Sequence, residues 1–403
     1  MTNDRRHDID VLRVFAVYLL FLFHSVMIFN PAPFYHVRND EQSIVMLIIA
    51  GFISLWHMPL LFVLAGWSIV SSLGARNGEG FVGERVRKLF IPLIAGCVLF
   101  GPTIKYFELR SGLDASMTGL KVAAELQDTF RQVLPADFPV AAPFNESFLE
   151  FWPTYFTPER FTWAHLWFIA YLFTFTLLYR PLFAAWMRRP GTVERVAAPW
   201  VYAPIVPLAL AQVFLRPHWP GLQNLIDDWA NFAYFSTFLI TGFLLARYPA
   251  FERAVHAETK RAFFIALGAT LVLLAAVLEF VRSEPLILAC TAVAGWGFIV
   301  ALLGYARRAF ANGVRGLPYL TESSFPIYIL HQVGIVVTGF WIIQLPLGIG
   351  AKLALVLVAS VSVTLAFYHF VVRSVPALRF LLGMKARDRV GPLSRSALEG
   401  AAS

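Results

Sequence analysis

The chain has 403 residues, of which 58% are hydrophobic, 15% aromatic and only 14% charged. An average soluble domain carries about 25% charged residues, so this composition excludes a soluble globular domain and specifies an integral membrane protein. The formal net charge of +8 sits at the ends of apolar runs and not on an extended soluble face, which argues against a nucleic-acid footprint.

Apolar runs broken at Pro, Gly and charge predict ten spans: 11–29, 44–72, 87–107, 164–183, 199–215, 229–247, 262–281, 286–306, 325–345 and 351–372. The expected fold is all-α and polytopic. Residues 1–385 form one ten-helix transmembrane domain, and 386–403 a disordered cytoplasmic tail. No repeat of matched halves is visible.

The first span carries Arg13 near its start and His24 in its depth. It is too long for a signal-peptide core, and no small-residue cleavage site follows it. The second span holds His57, and the third opens on Arg85, Arg87 and Lys88. Between the third and fourth spans lies an unusually long connection, about 108–163, rich in carboxylates. Within it Met117, Leu120, Ala124, Phe130 and Val133 recur at helical spacing, predicting an amphipathic helix on the membrane surface. The following aromatic stretch, which runs to Trp163 and Trp167, is either an interfacial belt or a platform for a hydroxyl-rich ligand.

Pro199, Pro204 and Pro207 interrupt the fifth span, and neighbouring helices must satisfy the carbonyls they free. Glu279, near the end of the seventh, either binds a ligand or pairs with Arg282 three residues on. Tyr328 and His331 share a face of the ninth. Cys97 and Cys290 stand alone inside spans and match no disulfide or metal spacing.

Alternate connections are rich in Lys and Arg: Arg5 and Arg6; Arg76, Arg85, Arg87 and Lys88; Arg180 to Arg195; Arg247 to Arg261; Arg307 to Arg315; and the tail from Arg373. The positive-inside rule therefore places both termini in the cytoplasm, in agreement with ten spans.

Ionisable groups within a bilayer are costly and mark function by default. The eleven-residue step from Arg13 to His24 is just over three helical turns, so both project from nearly one face, about 16 Å apart along the axis, and one groove can hold both. Asp10 lies within pairing distance of Arg13. The alternatives are a snorkelling anchor for Arg13 and an interhelical hydrogen bond for His24. A neutral imidazole at that depth is a candidate general base for a hydroxyl. His57 is expected to face the same cavity. His36, His165 and His218 are expected at or beyond the outer interface, solvated. No metal-binding spacing and no phosphate-cradling glycine loop is present.

LRVFAVYLLFLFH, with Arg13 and His24 bracketing ten residues, resembles the R-x10-H signature of membrane acyltransferase family three. HMPLLFVLAGW from His57, ERVRKLFIPL from Glu84, HLWFIAYL from His165 and ESSFPIYILHQ from Glu322 resemble further family segments, in the family's order. The third and fourth segments look most like the branch of glucan-modifying succinyltransferases.

The resemblance implies transfer of an acetyl or succinyl group from cytoplasmic acyl-coenzyme A to a hydroxyl of an extracytoplasmic carbohydrate, in the inner membrane of a bacterium. His24 and Arg13 would be catalytic. Arg85, Arg87, Lys88, Tyr328 and His331 would hold the donor, and His57, Trp163, Trp167 and Glu279 the acceptor. No resident cofactor is expected, and the residue spacing and the placement of charge predict no metal and no nucleic-acid partner. Two departures stand out: Ala65–Gly66 replaces the family's serine-glycine pair, and Arg85-Val-Arg-Lys88 replaces its R-x-x-R. A secondary transporter using the intramembrane Arg and His is the rival reading.

Overall fold

The computed structural model describes residues 6–31, 35–75, 78–113, 144–158, 160–189 and 193–385. Among them there is no strand, and the protein is a multi-pass bundle of helices. The surface helix expected around Met117 to Val133 and the tail 386–403 lie outside the described residues.

Among the described residues nine helices are long and apolar enough to cross a membrane and one bent pair makes a tenth candidate, in the order of the predicted spans: α1 (His7–Met27), α2 (Ile44–Ala75), α3 (Glu79–Arg110), α4 (the bent pair, Ala164–Leu178 with Arg180–Arg188), α5 (Ala198–Leu215), α6 (Trp229–Arg247), α7 (Thr259–Val277), α8 (Glu284–Phe310), α9 (Leu317–Ile342) and α10 (Ile349–Val372). The two parts of α4 meet at Tyr179 with a bend of 52°, and Pro181 stands in the first turn of the second part. Helix α3 begins eight residues before the predicted boundary, because the polar segment Glu79–Arg85 is also helical and leads into the apolar run.

In α5, the Pro residues break the helix at Tyr202–Pro204, as expected. A carbonyl near the break is re-satisfied by a neighbour: Trp296 of α8 donates its indole N–H to the Val201 carbonyl at 2.7 Å.

Helix α1 lies at the centre, packed against α2, α8, α9 and α10. Helix α2 packs most extensively on α6, and glycine permits the closeness. A Cβ on Gly66 would stand 2.0 Å from the Leu239 carbonyl oxygen, and one on Gly242 would stand 2.0 Å from that of Val63. The two backbones thus touch at reciprocal glycines, the small-residue contact that substitutes for hydrophobic driving force within lipid. That contact accounts for the glycine of Ala65–Gly66. Cys97 and Cys290 are free and buried.

Candidate active site

Two cavities lie along α1. The first, of about 690 Å³, is lined by Arg13, Ser68, Arg85, Lys88, Glu322 and Lys385, together with apolar residues of α2, α4 and α9. Arg13 donates to Asp10 at 3.0 Å and to the Ser68 hydroxyl at 3.0 Å. Glu84 sits beneath the other two cations: Lys88 is 2.7 Å from it and Arg85 3.8 Å, and the Ser72 hydroxyl donates to it. Arg85 also stacks on Phe81 at 4.7 Å.

A short helix, Pro376–Leu381, brings Gly383, Met384 and Lys385 to the rim of this basic cavity. Arg379 pins the turn, donating to Glu322 at 3.2 Å and to the Lys385 carbonyl at 2.8 Å. Nothing in local sequence pattern announces that contribution.

Arg87 does not join the group; it is exposed and outside the lining. Residues 85 and 88 are three apart and share a helix face, whereas position 87 falls on the other side.

The second cavity, of about 540 Å³, is lined by His24, His36, His57, Trp163, His165 and Trp167, with Tyr35, Gln223 and Gln332 among its other walls. Tyr328 lines both cavities. The single groove expected from helical spacing is therefore two cavities that adjoin at Tyr328, whose hydroxyl donates to the His165 carbonyl.

The imidazoles differ in what holds them. His57 donates Nε2–H to the Ala16 carbonyl at 2.6 Å, and His165 donates Nε2–H to the Ile329 carbonyl at 3.0 Å. His331 donates Nδ1–H to the Tyr328 carbonyl at 2.7 Å. Each bond to an acceptor-only carbonyl fixes the donating nitrogen. The other nitrogens of His165 and His331, and Nδ1 of His24, are buried without a hydrogen-bond partner. His331 packs against His24 at 5.1 Å and His165 at 4.8 Å between ring centroids, behind the lining of either cavity. Among the described residues, no three His, Cys, Asp or Glu side chains gather as metal ligands.

Three placements correct the expectations from sequence. His165 is not solvated but 6% exposed: Trp163 and Ala164, the latter at φ 44°, turn the chain into a short 3-10 segment that tips His165 into the bundle. His36 is likewise not free in solvent, because the connection after α1 folds back and pairs it with Glu108 of α3. Glu279 lies outside both cavities, 74% exposed and 3.8 Å from Arg282, the pairing that its spacing allows. His218 is exposed, as expected.

Two further segments wall the histidine cavity. Around 144–163, Phe151 and Tyr155 are wholly buried against Tyr106 and Gly101 of α3, and Tyr155 donates to the Thr162 carbonyl at 2.6 Å. This anchored platform presents Thr162 and Trp163 to the cavity. Opposite, the turn Pro220–Gln223 is held by Asp228, which accepts from Tyr171, from the Gln223 amide at 2.8 Å and from Asn231 at 2.9 Å. Burial pushes the Asp228 carboxyl up against the pull of those donors, and burial lowers Arg216 beside it.

These features define a polytopic helical membrane protein with a cationic cavity and a histidine-lined cavity on one central helix. The family model described as an acyltransferase domain matches residues 6–370, and the chain belongs to that family, acyltransferase family three. It is a membrane acyltransferase in the general sense. No curated protein and no solved structure matches the chain.

Proposed function

We propose that the protein moves an acetyl or succinyl group from acyl-coenzyme A in the basic cavity, on the cytoplasmic side, to a hydroxyl of an extracytoplasmic carbohydrate or glycan in the histidine cavity. The observation that carries this reading is the division of α1: Arg13 stands at one cavity, His24 at the other, and Tyr328 at both. In this reading the membrane is the inner membrane of a bacterium, and both termini are cytoplasmic.

Arg13, Arg85 and Lys88 hold the donor's phosphates by charge-assisted hydrogen bonds. The thioester reaches towards Tyr328. His24 accepts the proton of the acceptor hydroxyl as its oxygen attacks the thioester carbonyl carbon; the carbon–sulfur bond breaks, and the proton passes to the departing thiolate. Ester and free coenzyme A result, with no resident cofactor. Trp163 and Trp167 offer aromatic faces to the acceptor's rings. The volumes, about 690 and 540 Å³, fall in the range of small-molecule sites. Ala65 excludes a serine nucleophile at the family's serine-glycine position.

The test is mass spectrometry of cell-envelope glycans with and without the protein, because the mass gained names the acyl group and its carrier. In cells holding His24→Ala at parental abundance, the acyl mass should accumulate about 10²-fold more slowly or less, the scale of a lost general base. Undiminished accumulation removes His24 from the chemistry.

A further inference from the structure

Beside the histidine cavity lies a chain of charged groups that the mechanism above does not use. Lys105 and Glu108 of α3 are 0% and 1% exposed. Lys105 donates to Glu108 Oε1 at 2.6 Å, and His36 Nδ1 donates to Glu108 Oε2. Ser111 fastens the assembly, donating to the His36 carbonyl at 3.1 Å and to the Glu108 carbonyl at 2.7 Å.

Buried ion pairs are weak contributors to stability, since desolvation offsets most of the attraction. A carboxylate on one imidazole nitrogen does, however, fix the tautomer and the ring plane, and directs the lone pair of the other nitrogen. His36 is the only histidine lining this cavity that has such a backing among the described residues. Its neighbour Tyr35 stacks on His24, at 5.7 Å and 23°, and lies 5.4 Å from the His36 ring. The two imidazoles therefore flank one aromatic ring on one cavity wall.

From this geometry we infer that His36 is a second hydroxyl-binding imidazole: Nε2 accepts a hydrogen bond from a hydroxyl adjacent to the one that His24 activates. Glu108 and Lys105 are positioning residues that hold it in that state. The inference rests on the acyl-transfer reading and deepens it, because it makes the acceptor a molecule with neighbouring hydroxyls, such as a sugar ring, and not an isolated alcohol. No covalent step passes through His36.

The test separates the two imidazole nitrogens. His36→Asn keeps an N–H donor near the Nδ1 position for Glu108 but has nothing at Nε2. In cells expressing the full chain at matched membrane abundance, the initial rate of acyl incorporation into envelope glycan should fall about tenfold, the weight of one hydrogen bond in a desolvated site. Binding of coenzyme A to the purified protein, measured by calorimetry, should be unchanged. Glu108→Gln, which keeps the side chain's shape, should give an intermediate rate.

Parental incorporation in His36→Asn would show that His36 serves only to hold the loop, and would overturn the proposal. So would loss of coenzyme A binding in His36→Asn, which would place the damage in the fold or at the donor site. Failure of the parent itself to bind coenzyme A, or full activity in His24→Ala, would instead strike the underlying acyl-transfer reading, and is read from different samples.

Discussion

Arg13, Arg85 and Lys88 converge on one cavity, whereas Arg87, two residues from Arg85, is exposed and outside it. Affinity for coenzyme A should follow that division. Arg13→Ala should weaken binding in calorimetry by about tenfold or more, as expected when a hydrogen bond to a charged group is lost, and Arg87→Ala should leave it within about twofold, as surface substitutions usually do. Equal losses at both positions would mean that bulk positive charge, and not the cavity, attracts the donor. At this scale the sequence was legible where the geometry is local. Helical spacing placed Arg13 and His24 on α1; the same rule separates Arg85 and Lys88 from Arg87, although the family resemblance groups all three. It could not find His36, because its partner Glu108 is 72 positions away and no periodicity links a loop to a distant helix. His165 was obscured differently: its place follows from the positive φ of Ala164, a conformation that alanine rarely announces. The HLWF segment that carries the family resemblance was the one available signal.

Among the elements, the α2–α6 crossing has the narrowest tolerance. Gly66→Leu pushes side-chain carbon into the Leu239 carbonyl, and overpacking of this kind costs about 1–3 kcal/mol. The protein should lose thermal stability in detergent, read from a lower midpoint in a thermal-shift assay. Gly51→Ala on the same helix meets nothing within 4 Å and should be neutral or slightly stabilising, since alanine favours helix. An unchanged midpoint for Gly66→Leu would refute the close contact. The spans themselves were readable from hydropathy because bilayer thickness imposes a length on each of them. Their partners were not, because hydropathy records burial in lipid or protein without distinguishing the two. The neighbours of α1 emerge only when the chain is folded.

For the whole molecule, nine helices among the described residues are long and apolar enough to cross a membrane and the bent α4 is the tenth candidate; ten crossings would bring the two ends out on one side. Single-cysteine variants Arg6→Cys and Lys385→Cys, in a background with Cys97 and Cys290 replaced, should react with an impermeant maleimide only in inside-out vesicles if the basic connections are cytoplasmic. Opposite accessibility of the two positions would remove one span from the count. The bend within α4 and the proline break in α5 are where such an error would arise.

The hydroxyl of Tyr328, where the two cavities adjoin, is tied to one backbone carbonyl. Under the proposed acyl transfer, a shift of this one buried side chain would join the donor's cavity to the acceptor's, a smaller motion than the rocking of helix bundles. In that reading a small group crosses the bilayer while both of its carriers stay on their own sides, with no alternation of the scaffold between inward and outward shapes.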